Sequence, residues 1–173
     1  MWTYDKKLQY PVKIKNTNPK LASIIISQLG GPDGELGASM RYLHQRYTCP
    51  YDKITGILTD VGTEELAHLE MVAAIIHQLT KNLTLEQIDG TPFAAYFVDH
   101  TTGAYPVSAA GVPFDMKYVG VKGDILTDLN EDLAADAAIL KEQLLPKKCR
   151  KSLKYKAFSH LGKTPGNRIP AFP

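Results

Sequence analysis

A chain of 173 residues with 44% hydrophobic content has the material for one domain with a substantial core, and no apolar run approaches the length of a membrane span. The net charge of +2 says little about partners by itself, although its distribution along the chain is uneven. Cys49 and Cys149 form no C-x-x-C, no zinc spacing and no disulfide framework, and residues 1–7 lack the apolar core of a signal peptide. The expectation is free thiols and a cytoplasmic protein, or at least one made in the cytosol.

The first segment, residues 8–14, alternates apolar and polar positions but is interrupted by Pro11. That argues against a central strand and leaves a short strand or extended arm, packed on a neighbour or lying on the surface. Asn18-Pro19 then gives a helix start, an N-cap residue followed by proline in the first turn, with Gly30-Gly31 as the stop. Asp33 is expected to cap a second helix, which carries Glu35, Ala38, Tyr42 and Arg46 along one line. Glu35 can share the interior with the next helix, or it can be a first-turn glutamate favoured by the helix dipole.

Thr48-Cys49-Pro50 breaks the chain, and a long helix is predicted over about 52–81. Its apolar stripe runs through Ile54, Leu58 and Val61, then Val72, Ile75 and Leu79. Continuing the 3.6-residue period through the gap lands on Glu65 and His68. Two slots that should hold Leu or Val thus hold a carboxylate and an imidazole. Burying an ionised carboxylate without a partner is costly, so a compensating cation is expected there. An inward Glu-x-x-His is a di-metal signature of ferritin-like bundles. A solvated helix face, or a buried Glu–His hydrogen bond with no metal, would also accommodate the pair. Gly56 and Gly62 lie inside this helix and cost about 1 kcal/mol each relative to Ala; a close helix approach or plain surface placement would explain either.

Helical periodicity is absent over 82–122, where Gly and Pro alternate with Phe93, Tyr96, Phe97, Tyr105, Phe114 and Tyr118. The aromatic content argues against disorder, and a ferritin-like bundle needs one long crossover at this place. Gly123-Asp124 opens a further helix with Ile125, Leu129, Asp132 and Asp136 on one line and Leu126, Leu133 and Leu140 beside it. Its phase stays open, because Leu133 and Ala137 compete with Asp136 for the inner face. After Glu142 the character changes: Lys147, Lys148, Arg150, Lys151, Lys154, Lys156, Lys163 and Arg168 follow with no acidic residue. The organisation predicted is therefore a 1–142 helical domain and a basic 143–173 tail. Such a tail can bind nucleic acid, but it is more often a solvated end. Translation in a shifted reading frame or a natural truncation would each produce this switch.

Several of these stretches carry a family resemblance. Gly34-Glu35-Leu36-Gly37-Ala38, Gly62-Thr63-Glu64-Glu65-Leu66-Ala67-His68-Leu69-Glu70-Met71, Ala110-Gly111-Val112-Pro113-Phe114 and Asp132-Leu133-Ala134-Ala135-Asp136 resemble the manganese catalases. The opening Lys7-Leu8-Gln9-Tyr10-Pro11-Val12-Lys13 is most similar to their spore-coat branch. The resemblance covers residues 1 to about 136. It implies an all-α, ferritin-like helical bundle with one long crossover, whose fourth helix is missing or degraded here.

By the same resemblance, Glu35 is a terminal ligand of a first manganese, Glu65 the bridging and catalytic carboxylate, and His68 the imidazole ligand. Asp136 stands where the family has a glutamate ligand of a second manganese. The family's second Glu-x-x-His has no counterpart; His160 is the last histidine, with Ala157 three residues before it. Two manganese ions are implied for the family and one or none is possible here, with iron as second choice for this oxygen and imidazole donor set. The implied reaction is disproportionation of hydrogen peroxide to water and dioxygen. The alternative is a spore-coat structural protein with an incomplete site. A homo-oligomer, commonly a hexamer in the family, is implied, with other spore-coat proteins as further partners; neither a membrane nor nucleic acid is favoured.

Overall fold

The computed structural model describes residues 5, 7–89, 97, 98, 103, 104, 108 and 111–142, the last seven of these and the 97–98 and 103–104 pair as backbone only. The chain divides into residues 1–143 and 144–173, and the second unit lies outside the described residues. The expectations for the basic tail, His160, Cys149, Phe93, Tyr96 and Tyr105 fall outside them too.

The Asn18 side chain accepts a hydrogen bond from Leu21 N at 3.0 Å and starts α1 (Pro19–Ile25), as its sequence predicts. The helix does not run unbroken to Gly30. It turns at Ile26 and restarts as α2 (Ser27–Gly30), and Gly31 ends it with extended backbone rather than in the left-handed form. Asp33 does not cap the next helix, α3 (Glu35–Thr48). Gly34 occupies that position with no side-chain hydrogen bond, and Asp33 instead turns to Arg41, Oδ1 to Nη2 3.7 Å. Arg41 is itself buried and donates from Nη2 to the Tyr118 carbonyl at 3.2 Å, which fixes the end of the crossover against α3.

A short link at Cys49–Pro50–Tyr51 turns the chain into α4 (Asp52–Thr80), so α3 and α4 form an antiparallel pair. This pair is the centre of the fold. Leu58, Gly62, Glu65, His68, Met71, Val72, Ile76 and Leu79 form the buried face of α4. Leu58, Glu65, His68, Val72 and Leu79 of the predicted stripe are thus buried, Ile54, Val61 and Ile75 are only partly so, and Gly62, Met71 and Ile76 complete the face. Gly62 is where the two helices come closest: a Cβ there would lie 2.9 Å from Leu43 Cγ and 3.1 Å from Tyr42 Cβ. The Ser39 hydroxyl uses that approach to donate to the Gly62 carbonyl at 2.6 Å. Gly56 has open space around its Cα and needs no such explanation.

The N-terminal arm lies along α4 of its own chain. Gln78 holds it through both ends of its amide, donating to the Val12 carbonyl at 2.9 Å and accepting from Ile14 N at 2.8 Å. One turn further, Asn18 N donates to Leu79 O at 2.8 Å. Within the 82–122 stretch the structure adds elements that periodicity did not suggest. A single-turn helix α5 (Leu85–Ile88) starts from a Thr84/Gln87 capping box, and a 3₁₀ turn spans Met116–Tyr118. Two-residue strands β1 (Phe97–Val98) and β2 (Gly103–Ala104) pair antiparallel, Phe97 opposite Ala104.

Asp124 accepts from the Thr127 amide at 3.0 Å and opens α6 (Ile125–Glu142). Along its described turns Asp128 and Asp132 are buried, while Leu126 and Leu133 are each 56% exposed; the side chains of Asp136 and Ala137 lie outside the described residues. Ile125 and Leu129 pack on the cluster of Ala38, Tyr42 and Leu58. No helix among the described residues is long and apolar enough to cross a membrane.

Candidate metal centre

The interior between these helices is polar where an ordinary bundle is greasy. Gln45, Asp128 and Ser39 are among the most completely buried side chains. Each finds partners, as buried polar groups must. Gln45 Nε2 donates to Asp132 Oδ1 at 2.9 Å, joining α3 to α6. Asp128 accepts from Lys122 N at 2.8 Å and from Gly123 N at 3.2 Å, which ties the crossover's end to α6.

Further along the same interior stand Glu35, Glu65 and His68, only 7%, 6% and 8% exposed. Three residues apart on α4, Glu65 and His68 meet because one helical turn stacks them on one face. Nδ1 of His68 is 2.6 Å from Glu65 Oε2 and 3.8 Å from Glu35 Oε2. Glu35 arrives from the first turn of α3, so the antiparallel pairing brings it opposite the centre of α4. One ligand atom from each of the three lies within 4.8 Å of the other two.

The donor set fits a divalent cation. Two carboxyl groups and an imidazole gathered out of water are a set that a bound cation would stabilise. Carboxylate oxygen and imidazole nitrogen without thiolate suit manganese or iron. Of the two readings of Glu35, both describe it: it is a first-turn glutamate and it faces the interior. Asp136 lies on α6 one turn beyond Asp132, and its side chain is outside the described residues.

Sequence reasoning passed over two neighbours of this cluster. Glu64 Oε1 is 4.0 Å from His68 Nε2, on the side of the ring away from the other carboxylates. Gln9 of the arm donates to that same Glu64 oxygen at 2.6 Å. The i, i+4 spacing of Glu64 and His68 was a readable signal; the Gln9 contact, across 55 residues, was not.

Comparison with known proteins gives this arrangement a context. The family model described as manganese containing catalase matches residues 1–145. The chain belongs to that family. Its similarity to protein CotJC of Bacillus subtilis is 53% identity over 136 residues, covering 79% of this chain and 71% of CotJC. A probable manganese catalase of Clostridium acetobutylicum is 33% identical over 138 residues, covering 79% of this chain and 61% of its own length. The manganese catalase of Bacillus subtilis is 32% identical over 150 residues, and the match spans 55% of it. The chain thus spans only part of its catalase relatives. Among solved structures, KatB, a manganese catalase from Anabaena PCC7120, superposes with a TM-score of 0.77 at 28% identity, covering 99% of this chain and 88% of KatB. The expected ferritin-like, manganese-catalase-type bundle is therefore the fold of this chain.

Proposed function

We propose that this protein binds manganese through Glu35, Glu65 and His68 and disproportionates hydrogen peroxide, two H2O2 giving two H2O and one O2. The observation that carries the reading is the meeting of three buried ligand atoms from two helices within 4.8 Å, in a chain of the manganese catalase family. When bound, manganese supplies the two-electron redox chemistry of that reaction. The chain's own residues hold the ion and adjust charge. Nδ1 of His68 faces both carboxylates and would supply the nitrogen donor of the set. By the family resemblance, Glu65 would be the carboxylate shared between two metal positions and Asp136 a carboxylate of the second. The Asp136 side chain is one methylene shorter than glutamate.

A second reading has its own support. The sequence offers no second Glu-x-x-His after Asp136, and identity with CotJC exceeds that with the named catalases. On that reading the chain is a spore-coat component with an incomplete, weakly active or inactive site, assembled as a homo-oligomer with other coat proteins. Metal analysis with oxygen evolution from peroxide separates the two. Two manganese per chain with turnover supports the enzyme; one or none, without turnover, supports the coat protein. Loss of manganese in Glu65→Ala and His68→Ala is expected under the first reading, and retention of the metal in both variants sinks it.

A further inference from the structure

We propose that Glu64, tethered by Gln9 of the N-terminal arm, is a positioning residue for the same site: it faces Nε2 of His68 and sets the imidazole with Nδ1 turned toward Glu35 and Glu65. The inference rests on the metal-binding reading of that trio. Its geometry is independent of it. The ring has a carboxylate on each side, Glu65 Oε2 at 2.6 Å from Nδ1 and Glu64 Oε1 at 4.0 Å from Nε2.

An imidazole that offers its Nδ1 lone pair to a cation must carry its proton on Nε2. The cation polarises that N–H, and an anionic acceptor on the far side stabilises the polarised form and raises ligand basicity. Glu64 is the carboxylate placed to do this. At 4.0 Å the contact is electrostatic rather than a hydrogen bond.

Gln9 makes the arrangement specific. It is a neutral donor, so its 2.6 Å hydrogen bond orients Glu64 without cancelling the carboxylate's charge. The arm that carries Gln9 is in turn fixed by Gln78 and by the Asn18–Leu79 backbone bond. The arm therefore belongs to the outer shell of the site, and its attachment is coupled to the orientation of His68.

The test is Mn²⁺ affinity of the full chain by calorimetric titration, with the ¹⁴N hyperfine coupling of the Mn²⁺-loaded protein and the thermal midpoint of the metal-free protein measured alongside. Glu64→Ala is expected to weaken Mn²⁺ binding roughly 10- to 100-fold and to change the nitrogen coupling. Gln9→Ala should move both in the same direction by less. Glu64→Gln, which keeps the acceptor oxygen but not the charge, should lie between wild type and Glu64→Ala. The metal-free midpoint should stay put in all three. Wild-type affinity and coupling in Glu64→Ala, where Glu65→Ala has lost the metal, overturns the positioning role and leaves the metal site standing. If Glu65→Ala also binds as wild type, both readings fall. A loss of affinity that follows a lowered metal-free midpoint makes Glu64 a folding residue and also overturns the proposal.

Discussion

His68 and Glu65 are joined through Nδ1 and Oε2 at 2.6 Å, one turn apart on α4 and both buried. The backbone of α4, the longest helix among the described residues, holds their Cα atoms one turn apart, so half of the candidate metal grip shares one face before any cation arrives. A ligand that binds only the folded state stabilises it by mass action, about 2.7 kcal/mol at roughly 100 times Kd. Saturating Mn²⁺ should therefore raise the unfolding midpoint by about 5–10 °C for a domain of this size. Glu65→Ala should abolish the rise. An equal rise in that variant, by differential scanning fluorimetry, would count against the site.

The two glycines of α4 should respond oppositely to alanine. At Gly62 the added methyl meets Leu43 and the rigid Tyr42 Cβ, an overpacking expected to cost about 1–3 kcal/mol against about 1 kcal/mol of helix propensity gained. At Gly56 nothing stands within 4 Å, so only the propensity gain remains. Urea unfolding of both variants checks the sign. Equal effects would mean that the helices do not meet at Gly62.

Asp132 and Gln45 form a buried amide–carboxylate bond between α6 and α3. Asp132→Ala leaves Gln45 Nε2 with only a 3.5 Å contact to the Asp128 carbonyl, so a loss of about 1–3 kcal/mol is expected. Asp132→Asn keeps an acceptor and should recover most of it. Chemical denaturation of the pair of variants measures the difference.

The start of α6 should be acid-sensitive. The Thr127 hydroxyl, and then the Thr127 amide, donate to Asp124 and hold its carboxyl below the usual carboxylate range. A depressed folded-state value means that the cap's contribution is present above the ordinary aspartate pKa and lost as pH falls through the lower folded value. The Thr127 amide resonance should shift with a midpoint under about 3.9, and Asp124→Ala should remove the transition. A midpoint above the ordinary value would contradict the cap.

Much of this was legible from residue order. Glu65 and His68 announced themselves by occupying apolar slots of a regular helix, and Asn18-Pro19 by cap chemistry. Glu35 was different: its residues alone favoured a dipole-stabilised first turn, and only the family resemblance placed it in the centre. The Thr84/Gln87 capping box was a readable signal masked by the irregular segment around it. Asp33 has cap chemistry, but buried Arg41 draws its side chain away from the helix start. The phase of α6 depended on Gln45, a partner from another helix, and no single-helix pattern contains that information.

Glu35 is the first residue of its helix, and Gly34 before it has no side chain with which to secure that end. The α4 donors sit mid-helix, while the α3 donor hangs on a terminus, where fraying is easiest. The candidate centre thus joins two mid-helix donors to one at a helix start. A captured ion would latch the start of α3 to the middle of α4. Slower amide exchange across residues 35–38 after manganese is added would be the trace of that latch.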